Sequence, residues 1–186
     1  MPHHAPASLD WNVVVTVYED GFRTVRRMLE PFGEITPTEF HNVLVMKVPD
    51  PRAFVERLAE QVAESPGLMN FISRAIAADV TFDFQTAEEF EAKAREAVLD
   101  FVPKLANKSF HVRMHRRGFK HRISSHEEER RLGAVLIEAL EAAGTPGSLS
   151  FDDPDAIVTI ETVGQRAGIT LLTRDDLQRC PFLRID

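Results

Sequence analysis

Hydrophobic positions along this chain follow two periods, and the change from one to the other marks the elements. Trp11–Tyr18 (WNVVVTVY) is a β-branched and aromatic run that predicts a strand, and Gly21 with FRTVRRMLEPF predicts a short helix closed by Pro31 and Gly33. Glu34–Phe40 and Asn42–Val48 predict two further strands. Asp50 offers an N-cap with Pro51 behind it, opening a helix to about Glu64. Its Phe54, Val55, Leu58 and Val62 keep the i, i+3/i+4 spacing of a core-facing stripe. A short helix near Gly67–Ile76 and a strand over Asp79–Phe84 follow. The resulting order, β-α-β-β-α-β, is that of a ferredoxin-like unit.

A second set of signals begins at Thr86-Ala87-Glu88-Glu89, a capping box whose helix runs to about Phe101 before Pro103. Ser109–Arg116 (SFHVRMHR) alternates: Phe110, Val112 and Met114 face one way, and His111, Arg113 and His115 face the other. Ser125-His126-Glu127-Glu128 predicts another capped helix, to about Ala143, with Leu132, Val135, Leu136, Ala139 and Leu140 on one face. Gly144-Thr145-Pro146-Gly147 ends it. Strands are expected at Ser148–Phe151, Ala156–Thr162 and Ala167–Leu172, then a short helix from Thr173. The predicted class is α+β: a disordered start over 1–10, one domain over 11–85 and a second over 86–186.

Composition changes this picture at one place. The chain carries 22 Lys and Arg against 29 Asp and Glu, a net charge of −7. Seven of those basic residues and four His fall between Lys104 and His126, where no acidic residue occurs. A concentrated positive stretch in an acidic protein is the footprint of a surface that meets phosphate, and any nucleic-acid contact is expected to be local to it. The helix N-terminus at Ser125 adds a partial positive charge.

Other chemistry finds less support. His111 and His115 share a strand face but lie about 13 Å apart at a rise of ~3.3 Å per residue, too far to share one metal ion. Asp152-Asp153-Pro154-Asp155 reads as a turn rather than a cation site. No Rossmann, P-loop or nucleophile-elbow pattern occurs, so no nucleotide cofactor is expected. Cys180 is the only cysteine, which precludes an intrachain disulfide. No apolar run is long enough to span a bilayer, and MPHHAPASLDW has no secretory pattern, so a cytoplasmic location is expected.

From about Thr86 to Asp186 the chain resembles a THUMP domain, an RNA-binding module of tRNA-modifying enzymes. The residues that carry the resemblance are SFHVRMHRR, the helix start SSHEEERRLG, and DDPDAIVTIETVGQRAGITLLTRDDL. Phe110, Val112 and Arg113 match the family's F-x-V-R strand. Pro154, Asp155, Ile157 or Val158, Ile160 and Glu161 match its P-D-x-x-I-x-[VI]-E strand. THUMP domains follow an N-terminal ferredoxin-like domain, the arrangement read independently from residues 11–84. The resemblance implies phosphate contacts at Arg113, Arg116, Arg117, Lys120, His121 and Arg122. With the rest of the basic stretch, the candidate RNA-binding set is Lys108, His111, Arg113, His115, Arg116, Arg117, Lys120, His121, Arg122 and Ser125.

No catalytic domain of the kinds joined to THUMP in that family fits the remaining chain. The resemblance therefore implies a stand-alone, noncatalytic member that holds the acceptor stem and 3′ end of tRNA. Such a protein presents tRNA to a separate modifying enzyme, for example a cytidine acetyltransferase. Two alternatives stay open from the residues. One is a small RNA-processing enzyme with His111, His115 or His121 as general base. The other is a protein–protein adaptor whose acidic positions, such as Glu88, Glu91 and Glu96, dock a basic enzyme.

Overall fold

A computed structural model describes residues 10–185; all but Asp10 of the expected disordered start over 1–10 lies outside the described residues. The chain divides into two units, one of residues up to Asp79 together with Leu177–Asp186, the other Val80–Asp176. Both are mixed α/β. No helix among the described residues is long and apolar enough to cross a membrane.

In the first unit β1 (Val13–Val17), α1 (Phe22–Leu29), β2 (Glu34–Pro37), β3 (Val43–Lys47), α2 (Pro51–Glu64) and β4 (Ile72–Ala77) follow in order. The four strands form an antiparallel sheet, β2-β3-β1-β4. Val13, Val14, Val15 and Val17 are all buried, as suits an inner strand covered on both faces. α2 starts as its sequence dictates: the Asp50 carboxylate accepts the N–H groups of Arg52 and Ala53 at 3.1 Å, and Phe54, Leu58 and Val62 point inward.

The segment expected as a helix near Gly67–Ile76 is a 3-10 turn, Pro66–Asn70, followed by β4. Ile72, Ala75, Ile76 and Ala77 are buried, and a strand with so many buried positions has no alternation to tell it from a helix. The strand expected over Asp79–Phe84 forms as β5 (Val80–Asp83), but it pairs with a strand of the second unit. The division thus falls between Asp79 and Val80, where 85 was expected.

The second unit continues with α3 (Ala87–Leu99), β6 (Ser109–His115), α4 (Ser125–Ala142), β7 (Ser148–Leu149), β8 (Ala156–Val163), β9 (Arg166–Thr173) and α5 (Arg174–Arg179), which runs across the division. Its sheet has the order β5-β9-β8-β6-β7, with β6 parallel to both β7 and β8. One face carries Phe110, Val112 and Met114 of β6, Val158 and Ile160 of β8, and Ile169 and Leu171 of β9. These join a core with Phe90, Ala94 and Val98 of α3 and Leu132, Leu136 and Leu140 of α4. Each large side chain so buried contributes roughly 1.5–3 kcal/mol. The opposite face is mixed and largely buried, carrying His111, Arg113 and His115 beside Ile157, Thr159, Glu161, Thr170 and Leu172.

Candidate nucleic-acid interface

β6 delivers the basic stretch to the surface, and the strand that matches P-D-x-x-I-x-[VI]-E fixes β6 at both ends. At its start the Asp155 carboxylate accepts the Ser109 N–H at 2.9 Å and the Ser109 hydroxyl at 3.1 Å, while the Asp155 N–H donates to Ser109 Oγ. The Ser109 backbone and hydroxyl bonds hold the Asp155 carboxyl below the usual carboxylate range. At its far end Glu161 accepts from the Arg117 guanidinium at 2.6 Å and lies 3.2 Å from His115 Nδ1. The Arg117 N–H donates to Thr162 Oγ1 and the Arg117 carbonyl accepts from the Gly164 N–H.

These contacts revise the candidate set. Arg117 is 12% exposed and committed to Glu161, so it braces the strand end instead of presenting charge. His115 shares that carboxylate. His111 is buried; its Nδ1 donates to the Ser150 carbonyl at 3.0 Å and its ring lies against Phe151. Burial, outweighing the Ser150 bond, pushes the imidazole pKa down, which favours the neutral ring and argues against His111 as a charged phosphate contact. Lys108 is exposed but precedes β6, about 25 Å along the strand from Arg116. Ser125 is the first helical residue; the cap is Ser124, whose hydroxyl accepts the Glu127 N–H at 3.3 Å. Arg113 remains on the mixed face of the sheet, half-buried.

The loop from Arg116 to Ser124 gathers the others. Gly118 turns it at φ +96°, with its Cα against the β8–β9 turn, where an added Cβ would meet Gly164 Cα at 3.1 Å. Phe119 then enters the core, its ring 5.0 Å from that of Phe84, and Ile123 enters it again four residues later. The Arg122 and Ile123 N–H groups both donate to the Phe119 carbonyl. Between these two anchors Lys120, His121 and Arg122 are exposed. The Arg122 guanidinium packs 4.2 Å over the Phe119 ring, which holds the charge close to the loop. Arg116 donates to the Gly118 carbonyl.

Two exposed basic residues of α4, His126 and Arg130, follow the loop, with Glu127, Glu128 and Glu129 between them, and were not among the candidates. Their i, i+4 spacing, opposite the stripe of Leu132, Leu136 and Leu140, was the available signal. The site that emerges is a loop pinned by two apolar side chains, carrying Arg116, Lys120, His121 and Arg122, with His126 just inside α4. It is suited to binding phosphate by charge and shape; no acidic residue lies between Arg116 and His126.

No protein-family model matches the chain. Solved structures show where this two-sheet fold occurs. PH1313 from Pyrococcus horikoshii matches with a TM-score of 0.60 at 16% identity, over 86% of this chain and 53% of that one. A 4-thiouridine synthetase, solved as an RNA complex with bound ATP, matches with a TM-score of 0.55 at 14% identity, over 87% and 41%.

One sequence relative is more specific. The tRNA sulfurtransferase of Shewanella pealeana is 29% identical over 144 residues, which is 77% of this chain and 27% of the relative. The chain thus spans about a quarter of the length of the curated relative it matches. At the level of tRNA-modification proteins, the THUMP resemblance and this likeness agree.

Proposed function

We propose that this chain is a tRNA-binding protein that holds structured RNA through the Arg116–Ser124 loop and presents it to a separate tRNA-modifying enzyme. The observation that carries the reading is the loop itself: two core anchors, Phe119 and Ile123, hold Lys120, His121 and Arg122 outward in a stretch with no acidic residue between Arg116 and His126. The likeness to a tRNA sulfurtransferase and to an RNA-bound 4-thiouridine synthetase supports tRNA as the ligand. The first unit, with its β-α-β-β-α-β order, is read as the ferredoxin-like companion of a THUMP domain.

Affinity in this reading comes from phosphate contacts and the shape of an A-form stem, with the acceptor stem and 3′ end as the part held. Of the three imidazoles that an enzymatic reading would use, His111 is tied to the Ser150 carbonyl and His115 lies beside Glu161, while His121 is exposed in the loop. A cytidine acetyltransferase is the partner type that the THUMP resemblance implies. A titration of labelled tRNA with the wild-type chain and with Lys120→Ala/Arg122→Ala tests the site. Loss of most affinity in the double variant, with the fold intact by circular dichroism, is expected; unchanged affinity would contradict it. A modifying enzyme that works as fast without this chain as with it would contradict the presenting role.

A further inference from the structure

Three large apolar side chains are exposed among the described residues. Two of them, Leu149 at 47% and Phe151 at 75%, stand two residues apart at one edge of the second sheet, on β7 and just after it. The Ser148 and Ser150 N–H groups donate to the carbonyls of Lys108 and Phe110 at 3.1 and 2.9 Å. Strand alternation therefore turns the N–H and C=O of Leu149 away from β6. Neither group has a partner among the described residues.

The edge is held in shape. A methyl group of Leu149 lies 3.4 Å from where a Cβ would stand on Gly133 of α4. The Phe151 ring lies 5.3 Å from that of His111, which is buried and tied to the Ser150 carbonyl. The edges of the first sheet are guarded by contrast: β2 carries exposed Glu34 and Pro37, and the Ala75 N–H of β4 donates to the Phe182 carbonyl. Open main-chain groups between exposed apolar side chains make β7 a template for another strand.

The size of the patch and its charge narrow the occupant. Two apolar side chains per copy fall far short of the roughly 800 Å² per partner that a stable interface buries, which disfavours a second copy of this chain. A single extended segment takes its affinity from main-chain bonds and a few side-chain contacts. Asp152 follows Phe151, exposed and without an ion pair among the described residues, whereas Asp153 and Asp155 are paired with Arg174. That carboxylate repels RNA phosphate and attracts Lys or Arg.

We propose that β7 is a docking edge for an extended segment of a protein partner, with apolar side chains at alternate positions and a Lys or Arg at the end that meets Asp152. The segment pairs with Leu149 through its main chain and packs side chains on Leu149 and Phe151. It needs nothing from the basic loop, so it stands or falls apart from RNA binding.

An array of labelled heptapeptides tests this, alternating Val or Ile with Thr, ending in Lys-Lys, Ser-Ser or Glu-Glu, and titrated with the full chain by fluorescence anisotropy. Saturable binding is expected, about fivefold tighter for Lys-ended than for Glu-ended peptides, a preference that Asp152→Lys reverses. Methylating alternate peptide nitrogens should weaken binding about tenfold, as should Leu149→Pro, which removes the outward N–H and leaves the bonds of Ser148 and Ser150 to β6 in place. Phe151→Asp should do the same through lost packing. Hydrogen exchange at the Leu149 amide of the wild-type chain should slow on peptide addition, a readout independent of how the variants fold. No saturable binding by any peptide would overturn the proposal, as would binding indifferent to N-methylation. A wild-type dimer lost in Phe151→Asp would overturn it in favour of a second copy. A Phe151→Asp defect confined to tRNA binding would overturn it in favour of RNA.

Discussion

Arg116 and Arg117 are neighbours in sequence with different tasks. Arg117 spans to Glu161, 44 residues away, and both side chains are nearly shut off from water. Removing one partner of such a pair leaves a buried charge uncompensated. Glu161→Gln is therefore expected to destabilise the protein by roughly 3–5 kcal/mol, read from the shift of the urea unfolding midpoint at constant slope. Lys120→Ala, at an exposed position, should stay within about 0.5 kcal/mol in the same assay. Asp155 makes a pH-dependent contribution. Its folded pKa lies below its unfolded one, so its stabilisation is present at pH values above the unfolded carboxylate pKa, about 3.9, and is lost as pH falls through the folded value. Asp155→Asn should be less stable than wild type at pH 7, and the gap should close as unfolding is measured at progressively more acidic pH. A constant gap down to pH 3 would contradict the Ser109 contacts as its cause.

The Arg116–Ser124 loop depends on its anchors as much as on its charges. Phe119 adopts φ +53° with its ring in the core, so the chain accepts a costly backbone conformation to place that side chain. Phe119→Ala is expected to cost about 3–5 kcal/mol and to weaken tRNA binding although it removes no charge. Loss of stability with full tRNA affinity would show that the loop need not be held.

Elements with local signals were legible in the sequence. Asp50-Pro51 opens α2, and the Thr86 hydroxyl caps Glu89 N–H, because caps depend on residues three apart. What depends on distant partners was not legible. The apolar run before Ala77 became β4 because β1 pairs with it, and β5 left the first sheet because β9 offers it an edge. The alternation of β6 correctly separated its two faces, yet it could not show that Ser150, Phe151 and Glu161 occupy the face of His111 and His115.

At the scale of the whole molecule, the sequence carries an excess of acid and one acid-free basic stretch, Lys104–His126. A net charge of −7 opposes nonspecific association with nucleic acid over the rest of the surface, so affinity has to come from a few local contacts. That arrangement fits the proposed binding of a structured RNA through local phosphate contacts. The measurement closest to this claim is the salt dependence of tRNA binding by the wild-type chain and by Lys120→Ala/Arg122→Ala. Several phosphate contacts predict a linear fall of log affinity with log salt, each contact adding a slope of about −0.7 to −0.9, and a slope shallower by about two contacts in the double variant. A flat dependence in the wild type, or the same slope in both proteins, would contradict the account.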